Sequence, residues 1–217
     1  MKKHKLLLLC FMLVGGLLIF ASPGNAQLID YCFEGNACYA FDNTNTIDFG
    51  EVDSYAGKVV YDSSIADSIG DPTAGFYHDS IQEFTVTLGS SLFSLDVSGF
   101  NRIAVWDRNW DSIFFAADLS GPSAIGVIRA SLELTDQDGT AFASDALPTS
   151  INFSDFDSPV RLILGYSDSD FYVNGTSLTM FHPCEPSSSI PEPATMLLLG
   201  SGLLGLVGFS RKKLRKS

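Results

Sequence analysis

Few residues of this chain have the types and spacing that catalysis needs. A nucleophile must sit beside a base, and residues 27–193 contain only His78 and His182. His78, in Phe76-Tyr77-His78-Asp79, has a neighbouring carboxylate to orient it. There is no Gly-x-Ser-x-Gly elbow, no phosphate-cradling glycine loop and no His-Glu-x-x-His pair in the sequence, so His78 reads as a surface-loop histidine. Acids are plentiful, and two carboxylates 5 to 9.5 Å apart would suffice for glycoside hydrolysis. With 25 of them, no pair stands out, so a polysaccharide-acting hydrolase is the weakest of the functional readings.

Two other constellations are more specific. Asp136-Gln137-Asp138-Gly139 sets two carboxylates one residue apart before a turn glycine, the oxygen-rich arrangement a hard cation takes. Asp155-Phe156-Asp157 and Asp168-Ser169-Asp170 offer similar pairs. Asp136 and Asp138 are therefore candidate ligands of a structural calcium ion, the only cofactor the sequence suggests, although the same four residues also read as a plain hairpin turn. Trp106-Asp107-Arg108-Asn109-Trp110 places both tryptophans of the chain, an acid, an amide and an arginine in five residues. Aromatic faces rimmed by polar groups suit sugars, whose C–H faces stack on rings while their hydroxyls take polar partners. The competing reading packs Trp106 into the core and lays Trp110 over a loop.

Cys10 lies within an apolar run near the start, which leaves Cys32, Cys38 and Cys184 in the body of the chain. An odd count outside the cytoplasm leaves one thiol over. Cys32–Cys38 would close a short loop holding Gly35 and Asn36; Cys184 is the alternative partner for either. Cys-x5-Cys with two histidines gives no ordinary zinc spacing.

The elements that must position these residues are strands. Phe84, Val86 and Leu88 alternate with Thr85 and Thr87; Phe93, Leu95 and Val97 alternate with Ser94 and Asp96. Ile103 and Val105 are offset from Ala104 and Trp106, while Ala130, Leu132 and Leu134, then Leu162, Leu164 and Tyr166, repeat the pattern. Turns separate the runs at Gly89-Ser90-Ser91, Ser98-Gly99, Ser120-Gly121-Pro122 and Asp136 to Gly139. Asn174-Gly175 is the strongest hairpin signal. Eight to ten short strands without a capped amphipathic helix predict an all-β, antiparallel sandwich or jelly-roll-like domain over residues 27–184.

The ends differ from this middle. Lys2, Lys3 and Lys5 precede an apolar run from Leu6 to Phe20 and the small-residue segment ending at Ala26, the order of a secretory signal peptide cleaved after Ala26. Such a leader makes the Sec translocon and signal peptidase expected partners. After a linker at 185–189 come Pro191-Glu192-Pro193, an apolar stretch over 194–209 and a tail, 210–217, carrying Arg211, Lys212, Lys213, Arg215 and Lys216. Sixteen residues of helix span about 24 Å, enough for a single short transmembrane helix if its flanks snorkel. The basic tail stays cytoplasmic and the signal peptide sends residues 27–193 outward, so both ends agree on one orientation. A permanent single-span anchor has the same layout.

Ile190-Pro191-Glu192-Pro193-Ala194-Thr195, the glycine-rich apolar Met196 to Phe209 and the Arg/Lys tail together resemble the PEP-CTERM sorting signal of Gram-negative bacteria that make exopolysaccharide. The resemblance spans 190–217 and implies recognition of Pro191, Glu192 and Pro193 by exosortase, a membrane processing enzyme. It further implies delivery to the cell surface or extracellular matrix; with no catalytic motif in the sequence, the expected role is non-enzymatic, in a biofilm with exopolysaccharide as a partner. Stretches such as Gly57-Lys58-Val59-Val60-Tyr61-Asp62 and Leu132-Glu133-Leu134-Thr135-Asp136 are similar to secreted proteins of the same class.

Charge follows this division. All 25 acids lie in residues 27–193, with only Lys58, Arg102, Arg108, Arg129 and Arg161 to balance them, a net charge of −20. Nucleic acid is excluded as a general partner, since phosphate contacts need clustered cations. The same magnitude disfavours direct electrostatic attachment to acidic polymer or anionic lipid.

Overall fold

The computed structural model describes residues 27–49, 53–158, 160–165, 170–175 and 177–185. The expected signal peptide, the linker after Glu185, Pro191-Glu192-Pro193, the apolar 194–209 stretch and the basic tail lie outside the described residues. Among those described, no helix is long and apolar enough to cross a membrane.

Twelve strands run in chain order: β1 Leu28–Asn36, β2 Tyr39–Asp42, β3 Ser54–Asp62, β4 Ala74–His78, β5 Ile81–Leu88 and β6 Ser91–Leu95, then β7 Asn101–Asp107, β8 Asp111–Ser120, β9 Val127–Asp136, β10 Val160–Gly165, β11 Phe171–Gly175 and β12 Ser177–Pro183. The one helical segment described is a single 3-10 turn, Phe153–Asp155. All pairings are antiparallel, in the order β12-β1-β3-β5-β6-β8-β9-β10-β11-β2, with β4 attached through β7 to β8.

The expected all-β, antiparallel character is what forms, but the two sheets of a sandwich or jelly roll do not separate. Hydrogen bonding continues through β6 and β8, which pair only at Ser94↔Ser120 and Leu95↔Leu119. The rest of that edge of β8 belongs to β7, from Asn101↔Ala117 to Asp107↔Asp111. Branching there lets the sheet curl into a half-barrel whose two halves share one core. Ring contacts close the curl: Tyr61 of β3 meets Phe115 of β8 at 5.7 Å between centroids, and Phe93 of β6 meets Phe171 of β11 at 5.4 Å.

Alternation puts the apolar residues inside. Phe84, Val86 and Leu88, Ile103 and Val105, Ala130, Leu132 and Leu134, and Leu162 and Leu164 are all buried in that core, as period two requires. Strand β8 departs from alternation, since Asp111, Ser112, Ile113, Phe115, Ala116, Ala117 and Leu119 are all buried. A strand flanked along its length by β9 and by β7 or β6, with loops over its outer face, reads as a nearly continuous apolar run. Gly57 of β3 lies under the Phe33 ring, where a Cβ would strike both that ring and the Thr85 carbonyl.

The segment between β9 and β10 packs against the shared core. Its Leu147, Ile151 and Phe156 are buried, and three tyrosine hydroxyls anchor it. Tyr61 donates to the Pro148 carbonyl at 2.6 Å and Tyr77 to that of Asp145 at 2.8 Å, while the Tyr31 hydroxyl accepts the Ile151 N–H.

The disulfide expected first is not the one formed. Cys32 is bonded to Cys184, with the Cα atoms 5.0 Å apart and 152 positions between them in sequence. β1 continues as extended chain to Asn36, carrying Cys38 on the order of 15 to 20 Å away, beyond the reach of about 7 Å between Cα atoms. Pairing of Cys32 with His182 on β12 brings Cys184 alongside instead. Cys38 is exposed just before β2.

Candidate functional site

The β7–β8 hairpin holds the Trp106–Trp110 constellation. Asp107 pairs with Asp111, so Arg108, Asn109 and Trp110 form its three-residue tip. Because Ile103 and Val105 face the core, Arg102, Ala104 and Trp106 project from the outer face. Trp106 is thus half-buried on the outside of the half-barrel. Its ring lies 6.2 Å from Trp110, 6.0 Å from Phe76 of β4 and 6.4 Å from Phe114 of β8. The register explains the cluster, since Phe76 and Phe114 both stand opposite Ala104, whose small side chain leaves room between them. Trp110 is 40% exposed.

The polar residues of the hairpin behave differently from one another. Arg108 reaches Asp71 at 3.8 Å across solvent-exposed surface. Asn109 is exposed and Asp107 half-buried. The group continues along β7 beyond the expected segment. The Arg102 guanidinium carbon lies 4.8 Å from the centre of the Phe76 ring and 5.2 Å from that of Phe100, and the Arg129 guanidinium carbon lies 3.9 Å from the centre of the Phe100 ring. Phe76, Phe100, Arg102 and Phe114 are absent from the expected site, yet alternation alone placed Arg102 on the same face as Trp106. The positions of Phe76 and Phe114 depend on strand pairing that no local pattern fixes.

Three carboxylates meet at the same end of the sheet, where Asp107 pairs with Asp111 and Asp111 with Asp136. Asp111 is fully buried, its Oδ2 accepting the Phe142 N–H at 2.7 Å. Burial raises its pKa, with repulsion from Asp107 and Asp136 adding to the rise. Burial pushes Asp136 the same way, but the N–H groups of Thr140, Asp138 and Ala141 outweigh it and its pKa falls. A fully covered Asp111 cannot touch a sugar, so neither Asp107–Asp111 nor Asp111–Asp136 offers the two accessible carboxylates that glycoside hydrolysis takes.

Asp136 and Asp138, the candidate calcium ligands, are occupied within their own loop. Both Asp136 oxygens accept backbone N–H groups, at 3.0 Å from Asp138, 2.7 Å from Thr140 and 2.9 Å from Ala141. Asp138 accepts from the Thr140 hydroxyl at 2.6 Å. Asp157 accepts the Gln137 N–H at 3.0 Å, and Asp155 accepts from Asn152 at 2.8 Å; of the third pair, Asp168 and Ser169 lie outside the described residues. Among the described residues no three His, Cys, Asp or Glu side chains are grouped to hold a metal.

Turn capping is in fact the common use of acids here. Asp42, Asp62, Asp71, Asp96 and Asp138 each accept from the Ser or Thr hydroxyl two residues on: Thr44, Ser64, Thr73, Ser98 and Thr140. The Asp-x-Ser/Thr spacing was visible in the sequence and marks turns rather than chemistry. His78 stands exposed at the end of β4, and Asp79 turns the chain there through a positive φ of 56°. His182 is half-buried on the edge strand β12.

A family model described as the PEP-CTERM protein-sorting motif matches residues 189–212. The chain carries that motif, which marks an exported protein that is held transiently in a membrane and processed by exosortase. No curated protein and no solved structure matches the chain.

Proposed function

We propose that the protein is a non-enzymatic component of the cell surface or extracellular matrix, delivered by exosortase and associated with exopolysaccharide in a biofilm. The sorting motif at residues 189–212 carries this reading. A basic, apolar and small-residue leader at residues 1–26 supports it, since Sec translocation and signal peptidase would put the β domain on the side where exosortase substrates are released. The acidic surface suits solubility and self-repulsion in a crowded matrix. A −20 charge makes divalent-cation bridging, with calcium the natural ion, the route by which an acidic polymer would be held.

Cells producing Pro191→Ala/Glu192→Ala/Pro193→Ala should keep the protein at full length in the membrane fraction. Surface delivery equal to that of the wild type would contradict the reading.

A second reading, a carbohydrate-binding module on the same scaffold, draws on one observation: Trp106 and Trp110 lie on the outer face 6.2 Å apart, with Trp110 40% exposed. The two readings are compatible, because a matrix protein needs a means of retention.

A further inference from the structure

Four of the five cations in residues 27–193 have an acidic partner: Lys58 with Glu83, Arg108 with Asp71, Arg129 with Asp118 and Arg161 with Glu133. Arg102 has no ion pair within the described residues, although acids outnumber bases five to one in this segment. Its Nε is covered and has no hydrogen-bond acceptor among the described residues. The guanidinium is instead stacked against Phe76 and Phe100, and the rings continue through Trp106 to Trp110 and Phe114. From residue 100 to residue 106 the strip follows β7 for about 20 Å.

We propose that this outer strip of β4, β7 and β8 binds a neutral polysaccharide chain, with Trp106 and Trp110 stacking on sugar C–H faces and Arg102 donating to hydroxyls. The proposal rests on the matrix reading above and names the polymer class that would hold the protein there. Charge selects a neutral occupant, because a polyanion would meet one uncompensated cation on a domain of net charge −20. A protein partner fits less well. A stable interface covers about 800 Å² on each side, whereas the other exposed large apolar residues, such as Leu28, Leu92, Val97 and Val127, belong to other strands and loops. Nor can a peptide add to β7, whose two edges are taken by β4 and β8. A sugar chain, apolar on its ring faces and polar at its rim, matches a narrow row of rings bordered by Arg102, Asp107, Arg108 and Asn109.

Both tryptophans of the chain lie in this strip, so tryptophan fluorescence, excited beyond the tyrosine absorption band, reports on it alone. The full-length chain in a sugar-free zwitterionic detergent is titrated at 0.15 M salt with hydroxyethylcellulose, galactomannan, dextran and polygalacturonate. At least one neutral polymer should shift the emission saturably, with polygalacturonate silent. Trp110→Ala and Arg102→Gln should each weaken that binding about tenfold. Tyr39→Ala, in the separate exposed cluster with Phe41 and Tyr172, should leave it unchanged. Thermal melting checks that the variants fold, and Trp110→Phe at the exposed tip replaces any that does not.

Polygalacturonate binding as strong as that of the neutral polymers would overturn the neutral assignment. Binding that survives both strip variants, or is lost with Tyr39→Ala, would overturn the site. Silence with all three neutral polymers would overturn the proposal while leaving exosortase delivery intact, since that is judged by the sorting-motif variant.

Discussion

Single carboxylates and hydroxyls set the pH range of this fold. Hydrogen bonds from the Ser64 side chain and backbone lower Asp62, and those from Thr73 do the same for Asp71. In Asp42 and Asp118 burial acts upward, but the bonds from Thr44 and Ile47, and from Arg129 and Phe100, prevail and both pKa values fall. A carboxylate lowered on folding stabilises the protein above its unfolded pKa near 4, and that contribution is lost as pH falls through the lower, folded value. Asp111, raised by burial, acts in the opposite sense and limits the loss. At the other extreme burial raises Tyr31 and Tyr61 and pushes Tyr77 up to about 12. The unfolded chain then releases protons near pH 10 while the folded one holds them, so stability falls as pH rises past 10. Melting temperature measured from pH 2 to 12 should show a plateau with losses below about 4 and above about 10; an unbroken rise into acid would contradict the capping role of the aspartates.

At the scale of elements, the Cys32–Cys184 bond ties β1 to the end of β12. It closes almost the entire domain, and a loop of that length restricts the unfolded chain strongly, with natural disulfides contributing about 2 to 4 kcal/mol. Cys32→Ser should lower the unfolding free energy by that amount in a denaturant titration, and Cys38→Ser should change it little. Equal losses for the two variants would mean that the local Cys32–Cys38 pair matters after all. This bond also shows where local sequence stops being informative. Alternation gave the inward faces of β5, β7, β9 and β10, because each needs only its own neighbours. Partner choice for Cys32 depended on how far β1 extends and on which strand lies beside it, both decided by long-range pairing. The junction at β6 and β8 that curls the sheet rests on two residue pairs, Ser94↔Ser120 and Leu95↔Leu119, too few to leave a pattern. The candidate site divides in the same way: Trp106, Arg102 and the hairpin tip follow from one stretch of chain, whereas Phe76 and Phe114 join them only across the sheet.

As a whole, the molecule combines an acidic half-barrel with a sorting signal, and the two have different fates. The −20 charge of residues 27–193 belongs to the part destined for the exterior, while the basic tail belongs to the part that exosortase would remove. If the proposed strip binds a neutral polymer, Arg102, which has no ion pair among the described residues, would let the exported part hold it without opposing its own charge. Exosortase processing leaves its clearest trace in the intact mass of the protein recovered from the cell surface. The expected species begins at Gln27 and ends at or near Pro191-Glu192-Pro193, without the Arg211 to Lys216 tail; a surface species whose mass still includes residues 194–217 would rule processing out.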